Sequence, residues 1–110
     1  MEAMNRVNLV GWLTKEVQFG IRWDGRPWGR ISMVTDHLCD NPVNGKVRWQ
    51  VFHNVWLYEP ALLEKIKFVL TTGSHVMVEG TLMYNDNIDK NGIQHYYVQV
   101  NAGAITDLDH

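Results

Sequence analysis

Residues 46–84 read KVRWQVFHNVWLYEPALLEKIKFVLTTGSHVMVEGTLMY, and this stretch decides the fold. Its first part, residues 46–56, is rich in Val and aromatic side chains, which is typical of a long strand. Pro60 suits the first position of a helix, and apolar residues then recur at helical spacing until Gly73 ends the pattern. Residues 75–84 place apolar and polar side chains on opposite faces, which predicts a further strand. The stretch therefore predicts a strand, a helix and a strand, in that order.

The segments on either side predict strands separated by polar connections. Residues 7–13 are apolar and β-branched, and residues 28–35 alternate partly, so both are expected to form strands. Residues 36–45 are rich in turn-forming residues and are expected to form a loop. A second polar loop is expected over residues 85–92, followed by a last strand over residues 93–101.

The order of these elements favours an all-β barrel. Parallel α/β folds alternate strands with helices, whereas this chain has three strands, one helix and then two strands. A five-stranded OB-fold barrel with one helix between strands three and four fits that order. Gly11 and Gly80 are expected to let the long strands bend around barrel corners. With 110 residues and no linker or repeat, the chain is expected to form one domain over residues 1–110.

The distribution of charge along the chain is more informative about a binding partner than the net charge of −2. Residues 1–50 hold seven basic and five acidic side chains, whereas residues 51–110 hold three basic and seven acidic ones. All five arginines lie in the first half. A basic stripe on one face would attract phosphates, and a mixed-charge surface is the alternative that charge alone leaves open.

The sequence predicts no membrane partner and no secretion. No apolar run approaches the roughly 20 residues that a membrane-spanning helix needs, and the N-terminus lacks the pattern of a signal peptide. A lone Cys39 fits a reducing compartment. The expected location is the cytoplasm.

Four segments, in order along the chain, resemble one protein family. They are residues 5–11 (NRVNLVG), residues 31–35 (ISMVT), Trp49 with the apolar run after it, and residues 73–80 (GSHVMVEG). The last is the most specific, because it matches the pattern Gly-Ser-x-Val-x-x-Glu-Gly. Together they resemble the single-stranded DNA-binding proteins of bacteria and mitochondria.

This resemblance implies an OB-fold protein that binds single-stranded DNA without sequence preference, as a homotetramer or homodimer. It implies a role in DNA replication, recombination or repair, with replication proteins as further partners. The location implied is the bacterial nucleoid or, as the second choice, the mitochondrial matrix. The physical basis is that every base can stack on an aromatic ring while a basic groove follows the phosphates.

The resemblance also indicates the binding residues. Trp49 matches a family aromatic that stacks on bases, and either Val55 or Trp56 falls near a second one. Strict alternation would place Trp49 and Trp56 on opposite faces of the strand, unless a bulge intervenes. For each candidate the alternative is core packing or plain surface exposure. The further nucleic-acid-binding candidates are aromatic or basic: Trp12, Trp28, Arg6, Arg22, Arg26 and Arg30.

Two departures from the family pattern favour a second interpretation. Residues 83–88 (MYNDNI), in the family's long hairpin, carry no Lys or Arg. The sequence also stops at residue 110 without the family's acidic tail, which implies either a trimmed domain or a protein that recruits no partners by that route. A dimeric primosomal-type OB-fold accessory protein, acting mainly through protein contacts, is therefore the alternative. An RNA-binding OB domain is the third reading, because base stacking tolerates either sugar.

No motif predicts an enzyme, a metal site or a cofactor. The five histidines are scattered, and His37 and Cys39 are too few for a zinc site that needs four ligands. Nucleophile and phosphate-loop motifs are missing from the sequence.

Overall fold

The computed structural model describes residues 3–109, apart from the side chains of Asn85, Tyr96 and Tyr97. In that range the chain forms six strands and one helix. In chain order these are β1 (Val7–Leu13), β2 (Gln18–Ile21), β3 (Pro27–Asn41), β4 (Gly45–Leu57), α1 (Pro60–Ile66), β5 (His75–Ile88) and β6 (Gln94–Asp107).

Five of the strands close into a barrel. They pair in the order β1-β5-β6-β4-β3, and β1 returns to β3 through the pairs Trp12–Val34 and Leu13–Met33. The contact between β4 and β6 is parallel, at Val55–Val100, and the other pairings are antiparallel. Because α1 lies between the third and fourth barrel strands, the predicted OB-fold barrel is confirmed.

The core fills the barrel and is covered by the helix. Leu62, Leu63 and Ile66 of α1 are buried, and the barrel interior is apolar. Each fully buried aliphatic side chain contributes roughly 1.5–3 kcal/mol. The helix begins at Pro60 as predicted but ends at Ile66, well before Gly73. Among residues 3–109, no helix is long and apolar enough to cross a membrane.

The first predicted loop is largely strand and the second is half strand, which corrects the sequence-based expectation. Residues 36–45 continue β3 to Asn41, where the side-chain oxygen accepts hydrogen bonds from the Val43 and Asn44 N–H groups. Residues 85–92 likewise continue β5 to Ile88 before a turn. The two hairpins extend beyond the barrel, where both faces of the ribbon meet water, so polar residues fit on both faces.

The short strand β2 was not predicted. It pairs with β3 through Gln18–Arg30 and Gly20–Trp28, and lies on the edge of β3 that β1 occupies further along. Four residues interrupted by a glycine carry too little alternation to indicate a strand. The β2–β3 hairpin places Trp28 and Arg30 beside the residues described next.

Candidate nucleic-acid interface

Regular pairing of β3 with β4 sorts their side chains into two faces. The register shows no shift from Gly29–Leu57 to Asn41–Gly45. Ile31 and Val55 form one registered pair and are fully buried, so they define the core face. The neighbouring pair, Arg30–Trp56, therefore lies on the outside of the barrel.

Four outward side chains form what we call the outer aromatic cluster: Trp28, Arg30, Trp56 and Tyr58. The ring centroids of Trp28 and Trp56 are 5.4 Å apart, with planes inclined by 52°. Trp56 and Tyr58 are nearly parallel, with centroids 6.3 Å apart and 6° between planes. The Arg30 guanidinium carbon lies 5.6 Å from the Trp56 ring centroid. The cluster thus combines aromatic faces with a fixed positive charge.

Strand β2 holds the first part of this cluster in place. Arg30 donates a hydrogen bond to the Gln18 side-chain oxygen, across a registered pair. The indole of Trp28 lies directly over Gly20, so closely that a β-carbon on Gly20 would come 2.4 Å from Trp28 Cζ2. The unpredicted strand therefore positions two of the predicted site residues.

A row of outward polar residues continues from the cluster across the barrel. Trp56 is registered with Asn101 of β6, and Asn101 with Thr81 of β5. Gln99 donates to Asn101 Oδ1 at 2.7 Å and to the Tyr58 hydroxyl at 3.4 Å, which connects this row with the cluster.

The row ends in an open groove of about 610 Å³ beside Arg6. Its floor is made by small residues around the irregularity between Glu79 and Gly80 in the β5–β6 pairing. Asn5 fixes the N-terminal wall, because its side chain both donates to and accepts from the Leu82 backbone, at 2.8 and 2.9 Å. A cation thus stands at each end of the row, Arg30 at one and Arg6 at the other.

The structure separates Trp49 from Trp56. Trp49 is 58% exposed and lies on β4 beyond the barrel, opposite His37 of β3. The unbroken register puts it on the core-side face of the hairpin, away from the outer aromatic cluster. Val55 is a correction: its side chain is 0% exposed and packs in the core, so it cannot contact a nucleic acid.

The other predicted residues are spread over the surface. Trp12 lies on the outside of β1 and stacks on His75, with centroids 4.7 Å apart and 10° between planes. Arg22 and Arg26 flank the turn between β2 and β3. Of the predicted residues, the structure brings Trp28, Arg30 and Trp56 together.

Sequence reasoning missed three contributors to this face. They are Gln18, Tyr58 and Asn101. Alternation could have indicated Tyr58, because it follows Trp56 by two positions. The other two depend on pairing between strands distant in sequence, which no local pattern reveals.

The groups with shifted pKa values lie outside the cluster. Burial, with the charge of His37 adding to it, lowers the pKa of His53, whose Nε2 is 2.9 Å from Thr35 Oγ1. Hydrogen bonds from the His95 side chain and from backbone N–H groups lower the pKa of Asp89, at the β5–β6 turn. Within residues 3–109, no group of three or more His, Cys, Asp or Glu side chains could hold a metal ion.

Comparison with known proteins identifies relatives over nearly the whole chain. The model of the single-strand binding protein family matches residues 4–108. The chain is 28% identical over 103 residues to Single-stranded DNA-binding protein 1 of Xylella fastidiosa (strain 9a5c), a match that covers 93% of this chain and 75% of that protein.

Solved structures show the same fold. The SSB of Plasmodium falciparum in complex with ssDNA has a TM-score of 0.86 at 18% identity, covering 99% of this chain and 98% of that one. A deletion mutant of the single-stranded DNA-binding protein from Thermus aquaticus has a TM-score of 0.83 at 25% identity, and the match covers 96% of this chain and 50% of that one. The small single-stranded DNA-binding protein from Streptomyces coelicolor has a TM-score of 0.68 at 19% identity, covering 93% and 92%. With a family match from residue 4 to residue 108 and a barrel of the same architecture, the chain belongs to the single-strand binding protein family.

Proposed function

We propose that this protein binds single-stranded DNA on the outer aromatic cluster. The carrying observation is that Trp28, Trp56 and Tyr58 present adjacent rings beside the Arg30 guanidinium. The family, one of non-enzymatic DNA-binding proteins, supports this proposal. So does the ssDNA bound in the Plasmodium falciparum structure.

Binding would combine stacking with charge neutralisation. Bases stack on Trp56 and its neighbours, because every base offers a π-face, and this interaction does not depend on sequence. Arg30 neutralises a phosphate beside the stacked bases, and the polar row through Asn101 and Thr81 leads the strand towards Arg6. Trp49, on the other face of the β3–β4 hairpin, would contact DNA separately and is not part of the outer aromatic cluster.

Fluorescence titration with oligo(dT), oligo(U) and duplex DNA tests the proposal. We expect single-stranded DNA to quench tryptophan emission, and the affinity to fall with salt by a slope of about −0.7 for each phosphate neutralised. Undiminished emission with saturating oligo(dT) at low salt would reject single-stranded DNA binding. Preference for oligo(U) would favour the RNA-binding alternative.

Paired variants test which tryptophan carries the binding. Trp56→Ala is expected to weaken binding by about 1–3 kcal/mol, the usual effect of one lost base stack. Trp49→Ala serves as the comparison, because Trp49 is an exposed tryptophan on the same strand that faces the other way. A loss confined to Trp49→Ala, with both variants folded, would move the main site to the other face of the hairpin.

We further propose that the protein acts as a homo-oligomer in DNA replication, recombination or repair, in the bacterial cytoplasm. The β5–β6 hairpin favours the second candidate, a dimeric primosomal-type accessory protein. Its residues 83–94 carry Asp86 and Asp89 but only one cation, Lys90, so they attract phosphates poorly. Normal folding with single-stranded DNA binding absent would support that candidate.

A further inference from the structure

Trp23 is almost completely exposed, at 93%, and lies in the turn between β2 and β3. The turn is well defined, because the Gly25 N–H donates to the Arg22 carbonyl at 2.9 Å and the Arg22 N–H donates to the Arg26 carbonyl at 2.7 Å. Gly25 has a φ of +84°, which only glycine adopts readily. A rigid turn therefore holds a large aromatic ring in solvent.

Two arginines share this turn with Trp23, and both guanidinium groups face Asp24. Asp24 Oδ2 lies 3.7 Å from Arg22 Nη2 and 3.6 Å from Arg26 Nε, and Asp24 Oδ1 accepts a hydrogen bond from the Arg26 N–H. The four residues 22, 23, 24 and 26, here called the hairpin tip, thus carry one more positive than negative charge. The Arg26 side chain is still 78% exposed, so its guanidinium can contact an anion as well.

The hairpin tip continues the outer aromatic cluster. Arg22 is the first residue after β2, and its hydrogen bond to the Arg26 carbonyl continues the β2–β3 pairing. Because it follows Gly20 by two positions, alternation places it on the side that Trp28 covers. Trp23 follows Gly20 by three residues, and because it lies in the turn, the strand rise of about 3.3 Å per residue sets roughly 10 Å as its upper limit of distance beyond the Gly20–Trp28 pair. A DNA strand that leaves the cluster along β2 would reach the tip.

We propose that Trp23, with Arg22 and Arg26, is a second contact for single-stranded DNA, used only by strands longer than the outer aromatic cluster holds. The indole face stacks a base and the guanidinium groups contact its phosphates. Net positive charge and continuity with the cluster favour a polyanion over a protein surface as the occupant. This inference rests on the proposed function and adds a length dependence to it.

Titration with two lengths of oligo(dT) tests the proposal. The short one, of about 5 nucleotides, is near the lower end of the usual site size for one OB fold, and the long one, of about 20 nucleotides, exceeds that range. Trp23→Ala is expected to weaken binding of the long oligonucleotide at least about fivefold and to leave the short one unchanged. Arg26→Gln is expected to make the dependence of affinity on salt less steep, by about 0.7 in slope, for the long oligonucleotide only.

Phe68→Ala is the matched control. Like Trp23, Phe68 is an almost fully exposed ring, at 91%, and its centroid lies 5.6 Å from Lys67 Nζ. It follows α1, however, and is not part of the β2–β3 hairpin. This variant should bind both lengths normally, and circular dichroism and sedimentation should match the wild type for all variants.

The outcomes separate the two proposals. If the wild type binds neither length, the proposed function fails and this inference fails with it. If the wild type binds both and Trp23→Ala changes neither, the inference alone is overturned and a protein becomes the favoured occupant of the tip. Equal weakening of both lengths also overturns it, because the tip would then be supporting the cluster. A cross-link from a terminal iodo-deoxyuridine of the long oligonucleotide to Trp23 would support it directly.

Discussion

Gly11 is required where β1 passes from β5 to β3. A β-carbon at this position would lie 2.0 Å from the carbonyl oxygen of Val34 and 3.0 Å from its carbonyl carbon. The next residue, Trp12, makes the pair with Val34 that closes the barrel. The missing side chain therefore allows two backbones to approach closely at the closing point.

We expect Gly11→Ala to lower the free energy of unfolding by about 1–3 kcal/mol, the usual effect of forcing atoms into a packed site. Urea denaturation measures the change. Gly103→Ala is the control, because the nearest atom to its β-carbon would be 3.9 Å away. Equal stability of the two variants would contradict this account of barrel closure.

Gly20→Ala is expected to affect binding more than folding. The added methyl would meet the Trp28 indole, a side chain that can rotate away, so the ring would leave the outer aromatic cluster. Affinity for oligo(dT) should fall by up to about 1–3 kcal/mol, the range for one base stack. Fluorescence titration, with near-ultraviolet circular dichroism to follow the indole, provides the measurement. Unchanged affinity would show that Trp28 does not contribute to stacking.

The β3–β4 ladder explains what the sequence could and could not predict. In the barrel, one face of each strand is buried, so alternation is visible in residues 28–35 and the strand was predicted. Beyond Thr35 the side chains on both faces are largely exposed. Alternation therefore disappears, and the sequence of residues 36–45 predicts a loop. Which face carries Trp49 depends on the register continuing through that part, so only the structure could assign it.

His53 makes the stability of β4 depend on pH. Its pKa in the folded protein lies below the ordinary value of 6.5, because burial disfavours the charged imidazolium. The folded state therefore binds this proton less readily than the unfolded state, and stability is full above pH 6.5 and falls as the pH drops below it. We expect the urea concentration at the unfolding midpoint of the wild type to decrease at pH values below 6.5. His53→Gln is expected to make this decrease smaller. An identical pH profile for the variant would assign the dependence to other groups.

The order of elements together with the family resemblance predicted the barrel, since parallel α/β folds alternate strands with helices and this chain does not. The binding face was only partly predictable. Trp28, Arg30 and Trp56 were named from the sequence, but the row through Asn101 depends on the parallel contact between β4 and β6. That contact joins residues 45 positions apart and leaves no local pattern.

Many apolar side chains of the single chain are exposed to solvent, on both faces of the β3–β4 hairpin and on the outside of β1. Among them are Val10, Trp12, Trp49, Val51 and Phe52, each between 42% and 70% exposed. Such patches mark association surfaces, so we expect two or four chains per particle in sedimentation velocity at micromolar concentration. A tetramer would favour the single-stranded DNA-binding proposal and a dimer the accessory protein. A monomer would contradict both.

The unbroken register of β3 with β4 also bears on how this protein can change over evolutionary time. Even-numbered positions of β4 face outwards near the barrel, and odd-numbered positions such as Val55 and Leu57 face the core. In the barrel part of β4, substitutions that alter the ligand and substitutions that alter the fold therefore fall on separate, interleaved sets of positions. A descendant could acquire a different ligand by changing every second residue, while the intervening ones keep the barrel intact.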